Sequence, residues 1–377
     1  MNLCAPHLGL RPESDLGGEV SERALLSRLA ALGDTVRLLI PPEAETGPTP
    51  PGWRIERWGR RRARRWWRSN GAAARALVAA HHAEAFELAH LHSGLHFGRG
   101  ALAARRRLRA RFPIVVHHLH LEGTRLERAL ETAACRSADA VAVPSRFTAT
   151  ALAEAGGPAG ARVVVIPRGV ERPAGLPARP RPDERGGAGG RAVILSVGRL
   201  VPRKNPLLLV DVMAEVDCAL RGVARLRFIG GGPLARDIAR RARALGIEAL
   251  VELRGRCSEA EKWREIAGCA AFVTASRLEG FGLSVAEAMA AGAPVVAPNA
   301  ASFPELIEDG VSGVLAPRPD SASLASALIS ILRQPGRARA LGEAAARRAA
   351  SAFSWDAAAR RLRELYAELI ARSRLGL

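Results

Sequence analysis

Lysine is almost missing from this chain: only Lys204 and Lys262 occur, although the net charge is +19. No run of about eighteen or more apolar residues is present, so no membrane-spanning helix is expected. The start, MNLCAPHLGL, lacks the basic and then hydrophobic segments of a secretion signal, which makes the cytoplasm the expected location. Cys4, Cys135, Cys218, Cys257 and Cys269 are odd in number, scattered and without a Cys-x-x-Cys pair. That pattern argues against a disulfide framework and against a zinc site. Acids are scarce locally: residues 51–111 hold fifteen arginines against Glu56, Glu84 and Glu87.

What is present reads as an ordinary globular chain, 48% hydrophobic and 25% charged over 377 residues, long enough for two domains. The first half alternates apolar strands with helical spacing. Strands are expected at Asn2 to Pro6, Val36 to Ile40, Leu88 to His92, Ile114 to Leu119, Ala140 to Val143 and Val163 to Ile166. A loop at Gly17-Gly18 and a helix from Ser21 to Leu32 stand between the first two. RPAGLPARPRPDERGGAGG, rich in Pro, Gly and Arg, reads as a linker. A second alternation begins at AVILSVGRL and continues through strands at Arg225 to Ile229, Val251 to Leu253, Ala271 to Thr274 and Pro294 to Ala297. Buried strands separated by helices indicate parallel sheets covered on both faces. The expected fold class is therefore α/β, with ligands at the carboxyl ends of the strands.

The chemistry concentrates in SRLEGFGLSVAEAMAAG, Ser276 to Gly292. Gly280 and Gly282 permit a tight backbone turn. Ser284 followed by Glu287 reads as an N-cap and capping box, with a helix from about Val285 to Gly292 whose first amides point back over the loop. Glu279 and Glu287 then face one ligand from opposite ends. The plainer reading makes Glu287 a capping residue and Glu279 a solvated acid, and from this stretch alone it is slightly favoured. SVGRLVPRKN brings Arg199, Arg203 and Lys204 to a strand end, a cation cluster suited to a diphosphate; a solvated basic loop is the alternative. Gly230-Gly231-Gly232-Pro233 forms a second close-approach turn, and Gly17-Gly18 a fainter one.

The order of these motifs resembles glycosyltransferase family 4, retaining enzymes of the GT-B fold. VGRLVPRKNP, FIGGGP, SRLEGFGLSVAEAMAAGAPVVAP and FPELIEDGVSGVL resemble the motifs of its second domain, and Glu279 and Glu287 match its E-x7-E signature. SADAVAVPSRFTATALAEAG and VVVIPRGVE resemble first-domain segments, with Arg168 where asparagine is common. FSWDAAARRLRELY is similar to its terminal helix. The resemblance implies two facing Rossmann-like domains with a cleft between them: 1–172 on the acceptor side, a linker at 173–190, a nucleotide-sugar-binding domain at 191–353, and a helix at 354–377 crossing back to the first domain. It implies that Arg199 and Lys204 hold the donor diphosphate, that Glu279 binds sugar hydroxyls, and that Glu287 binds the ribose. Gly231 belongs to the donor loop, Phe281, Gly282 and Leu283 offer amides, and Gly17 and Gly18 close the pocket. A histidine is expected at the end of the Ile114 to Leu119 strand, His120 ahead of His118, with His117 the remaining member of the run. No metal and no cofactor is expected, in keeping with the absence of any Asp-x-Asp pair. The implied activity is transfer of a hexose from a nucleotide-diphosphate sugar to a hydroxyl of a saccharide or lipid-linked acceptor. A sugar-nucleotide 2-epimerase and a non-catalytic RNA- or membrane-binding protein are the rival functions.

Trp53, Trp58, Trp66 and Trp67 interleave with eight arginines between Arg54 and Arg68. This composition suits an interfacial segment on an anionic membrane, giving a peripheral protein on the inner membrane face. A solvated arginine-rich helix with its tryptophans in the core stands level with that reading. Nucleic acid is the lesser rival.

Overall fold

The computed structural model describes residues 1–10, 17–44, 46–58, 66–119, 123–158, 160–177 and 190–376. Its contacts divide the chain into unit 1, Met1–Gly169 with Trp355–Leu377, and unit 2, Val170–Ser354.

Unit 1 carries seven strands among the described residues: β1 (Asn2–Pro6), β2 (Thr35–Ile40), β3 (Trp53–Arg57), β4 (Leu88–Leu91), β5 (Ile114–His117), β6 (Ala140–Val143) and β7 (Val163–Val165). They pair in the order β3-β2-β1-β4-β5-β6-β7, every pair parallel. Its helices are α1 (Gly17–Ala31), α2 (Trp66–Ala83), α3 (Gly94–Leu108), α4 (Arg125–Ser137) and α5 (Arg146–Glu154). Parallel strands need crossovers, and these helices supply them, covering both faces of the sheet. One face forms a core around Leu3, Leu26, Val36 and Val115, the other around Leu77, Leu91, Phe97 and Val116.

The strand at Trp53–Arg57 was not legible as one, because WRIER alternates large and charged residues. Its Glu56 accepts from the buried Arg37 of β2 at 2.8 and 2.9 Å, so the charge is structural. Trp53 and Trp58 are both buried, one in each core. An interfacial role for these two rings is thereby corrected: their apolar area is already removed from water. Residues 59–65 and the side chains of Trp66 and Trp67 lie outside the described structure.

Unit 2 repeats the plan with β8 (Ala192–Val197), β9 (Ala224–Ile229), β10 (Val251–Gly255), β11 (Ala271–Val273), β12 (Val295–Pro298) and β13 (Val314–Ala316). The order is β10-β9-β8-β11-β12-β13, again all parallel. Its helices are α6 (Pro206–Ala219), α7 (Ala235–Ala244), α8 (Glu259–Gly268), α9 (Leu283–Ala290), α10 (Phe303–Leu306), α11 (Ser321–Arg333) and α12 (Pro335–Ala352). In both sheets the strand order reverses beside the first strand, which makes each a doubly wound, Rossmann-like sheet.

The last helix, α13 (Trp355–Leu375), returns to unit 1. Trp355, Ala358, Ala359, Leu362, Tyr366 and Ile370 recur at three- and four-residue spacing and are buried. This stripe packs with Leu25, Leu26 and Leu29 of α1 in one core, so helical periodicity alone explains its docking.

Candidate functional site

In unit 2 the loops after β8, β9 and β11 converge at the carboxyl ends of the strands. After β8, Pro202 to Lys204 makes one helical turn, and Asn205 takes the left-handed conformation at φ 51° to start α6. The two loops are tied together by the Arg277 amide donating to the Arg203 carbonyl at 2.9 Å. The Lys204 ammonium donates to Glu279, and Arg203 stands 3.8 Å from the same carboxylate. Arg199 is exposed in the same loop. Gly230 allows the close approach of the neighbouring loop: a Cβ there would lie 2.1 Å from the Gly198 carbonyl oxygen.

Gly282 holds φ 95° and begins α9 directly, with no side-chain cap. The expected capping box at Ser284 is therefore corrected: glycine's left-handed turn starts the helix two residues earlier. Glu287 does not reach back to the helix start, because its carboxylate is taken by Lys262 of α8 at 2.8 Å. Lys262 also meets Glu259 at 2.8 Å. Burial pushes the Glu287 carboxyl above its usual range, and Lys262 offsets this only in part. For Lys262 burial acts downward, but the two carboxylates outweigh it and hold the ammonium above its ordinary value. A Cβ on Gly282 would meet Glu279 Cγ at 3.5 Å, so Glu279 lies against the opening of α9. The Phe281 ring is buried edge-on to Phe353 at 5.5 Å. Its carbonyl accepts from the Ser302 hydroxyl at 2.8 Å, which fixes the loop from behind.

In unit 1 the carboxyl ends of β4 and β5 carry histidines in a buried network. His90 contacts Glu22 of α1 through Nε2 and the Tyr366 hydroxyl through Nδ1. Tyr366 also lies 3.2 Å from His117 Nε2, and His90 and His117 stack at 4.2 Å. Burial drives His117 well below the usual imidazole range, reinforced by His90. Burial acts upward on Glu22, but His90 and His92 outweigh it and hold the carboxyl well below its ordinary value. His118 is buried too: Nδ1 meets Glu131 at 3.2 Å, while Nε2 has no partner among the described residues. Glu131 of α4 also accepts from the Gly94 amide at 3.2 Å and from the Leu95 amide, capping α3. Among the described residues two groups have metal-compatible spacing, Glu22 with His90 and His117, and His118 with Glu131 and Cys135, donor atoms within 4.8 Å of one another. Glu22 and His90 already engage each other, His117 engages Tyr366, and His118 engages Glu131.

Two family models match the chain, Glycosyltransferase Family 4 over residues 17–172 and Glycosyl transferases group 1 over residues 181–348. A GDP-mannose-dependent alpha-(1-6)-phosphatidylinositol monomannoside mannosyltransferase of Mycolicibacterium smegmatis is 33% identical over 273 residues, 69% of this chain and 71% of that protein. The chain belongs to glycosyltransferase family 4. A D-inositol 3-phosphate glycosyltransferase of Thermobispora bispora is 36% identical across 48% of this chain and 44% of its own length. Sucrose-phosphate synthase from Thermosynechococcus elongatus superposes with a TM-score of 0.81 at 24% identity, covering 98% of this chain and 99% of that one. Anabaena HepE in complex with UDP-glucose gives 0.78 at 19% identity, covering 98% and 100%. These two likenesses show the GT-B fold.

In this glycosyltransferase, Arg199, Lys204, Gly231, Glu279, Phe281, Gly282, Leu283 and Glu287 all lie on the loops and helix start at one edge of the unit 2 sheet. Gly17 and Gly18 are not a loop but the first turn of α1, and residues 11–16 before them lie outside the described residues. His120 lies outside the described residues, and His118 is a buried partner of Glu131. Sequence reasoning passed over Lys262, Glu131, Glu22 and His90. Lys262 alone carried a signal, as one of the two lysines.

Proposed function

We propose that the chain is a retaining hexosyltransferase that takes its sugar from a nucleotide-diphosphate donor and delivers it to a hydroxyl of a saccharide or lipid-linked acceptor. The convergence of Lys204 and Arg203 on Glu279 beside the opening of α9 carries this reading. Such a corner offers cations and helix-terminal amides to a diphosphate and a carboxylate to sugar hydroxyls. Arg199 and Lys204 neutralise the departing diphosphate, Glu279 orients the sugar, and Glu287 accepts from the ribose hydroxyls. Charge developing on the leaving oxygen is met by groups already in place, the most effective form of transition-state stabilisation. With no Asp or Glu assigned as covalent nucleophile, the acceptor attacks from the face the diphosphate leaves, and a phosphate oxygen takes its proton. The chemistry needs no divalent ion on this reading.

The mannosyltransferase relative supports a hexose donor and a lipid-linked acceptor, and makes GDP-mannose the first donor to try. Family membership sets the epimerase and non-catalytic readings aside. The enzyme works on this proposal at the inner membrane face, and among the described residues no helix is long and apolar enough to cross a membrane. A panel of GDP-, UDP- and ADP-sugars, read by mass detection of released nucleotide, tests the donor, and the anomeric configuration of the product tests retention. Inverted product, or no turnover with any nucleotide sugar, sinks the proposal.

A further inference from the structure

A different chemistry gathers at the amino-terminal edge of the unit 1 sheet, opposite the histidines. The segments entering β5, β6 and β7, the end of α4 and the last turns of α3 and α13 enclose an open cavity of about 620 Å³. Arg105, Arg106, Arg109, Arg111, Arg162 and Arg372 line it, and Asp139 is the one acid among the described lining residues. Asp139 is already committed, accepting from Arg105 at 2.6 Å and from the Ile114 amide at 2.7 Å. Arg162 donates to the carbonyls of Arg136 and Ala138, and Arg372 stands 3.8 Å from Glu368. Among the described residues the guanidinium groups of Arg106, Arg109 and Arg111 have no acceptor.

Helix ends explain part of this cluster. Arg105 and Arg106 lie in the last turn of α3 and Arg372 in that of α13, where carbonyl dipoles favour cations. Arg109, Arg111 and Arg162 lie outside those turns. Arg109 is the more telling, since it closes α3 at φ 49°, a conformation in which glycine is the economical residue. A strained backbone position is here spent on a cation aimed at a cavity that holds five others.

We propose that this cavity binds a soluble, multiply charged phosphate anion, a diphosphate or triphosphate chain. Guanidinium forks match phosphate oxygens in pairs, and their placement around a concavity surrounds a small polyanion from several sides. A flat lipid surface meets only the rim of such a cavity. The site belongs to unit 1, whereas the residues assigned to the donor diphosphate belong to unit 2, so the two are separable by mutation.

The test is calorimetric titration of the full chain with tripolyphosphate, pyrophosphate and orthophosphate. Arg109→Gly combined with Arg106→Gln removes two cations while relieving the left-handed strain, so the variant melts close to the parent. Arg106→Gln with Arg111→Gln repeats the comparison without changing the left-handed residue that closes α3. The proposal expects tripolyphosphate to bind more tightly than orthophosphate, to weaken by about tenfold or more in both cavity variants, and to persist in an Arg199→Ala/Lys204→Ala variant. Unchanged affinity in the cavity variants, or loss in the unit 2 variant instead, overturns it. Cosedimentation with phosphatidylglycerol vesicles that depends on these arginines, without binding of the soluble anions, also overturns it and assigns the cavity to a lipid headgroup.

Discussion

Lys262 of α8 donates to the buried carboxylate of Glu287 of α9 at 2.8 Å. The other lysine, Lys204, makes the matching contact with Glu279. The two lysines of an arginine-rich chain thus each hold one acid of the E-x7-E pair. A compact ammonium with rotatable donors can be shared or handed over when a ligand arrives, which a rigid guanidinium fork does less readily.

Lys262→Ala leaves Glu287 buried and unpaired, and is expected to cost about 3 kcal/mol. The pH dependence follows from Glu287, whose folded pKa lies above its ordinary value. A raised carboxyl favours the fold at low pH, and that contribution is lost as pH rises through the folded pKa. Removing the lysine raises the pKa further, so the deficit of Lys262→Ala should grow between pH 5 and pH 8. Urea midpoints at the two pH values decide it; a deficit that shrinks contradicts the pairing.

Glu279→Ala should lower kcat/KM by roughly a hundredfold or more if its contact strengthens in the transition state. The melting temperature should fall by only a few degrees, since Lys204 keeps access to solvent. Full turnover in this variant removes Glu279 from the site.

Acid should destabilise unit 1. Burial lowers His7 from 6.5 to about 3, with His92 adding to the effect. A depressed imidazole contributes stability above its unfolded pKa, and that contribution drains away as pH falls from about 6.5 towards 3. Thermal melts should therefore decline across that window, and His7→Asn should flatten the decline. An equally steep profile in the variant refutes the role of His7.

Tyr366→Phe removes the hydroxyl that lies between His90 and His117 and leaves buried ring nitrogens without it. The expected loss is about 1–3 kcal/mol. Proteolysis of the α13 segment should accelerate in proportion, because the last helix is docked through this residue. A variant as stable as the parent shows that the network adds nothing.

Much of the fold was legible because its strands are buried runs bounded by turns: β1, β2, β6, β9 and β11 fall within a residue or so of where apolar runs put them. β3 and β13 escaped, the first through its charges and the second because its three residues sit inside a stretch that reads as a glycine-bearing loop, GVSGVLA. Gly17-Gly18 and Ser284 misled for one reason, that turn and cap residues fit several local structures until tertiary contacts choose. The loops of the unit 2 site were marked by motif order. Their ion pairs were not, because Lys262 reaches Glu287 across 25 residues of chain through an intervening strand. No local pattern in sequence encodes such a meeting.

The return of α13 to unit 1 also sets an order of events during synthesis. Unit 2 is a continuous insertion, 170–354, and owns all of its core as soon as it has left the ribosome. Unit 1 waits with Leu25, Leu26 and Leu29 uncovered until Trp355–Leu375 emerges. The nascent chain therefore spends the interval with an apolar α1 face open to solvent, and a chaperone that recognises exposed leucines has its window there rather than in the later-made half.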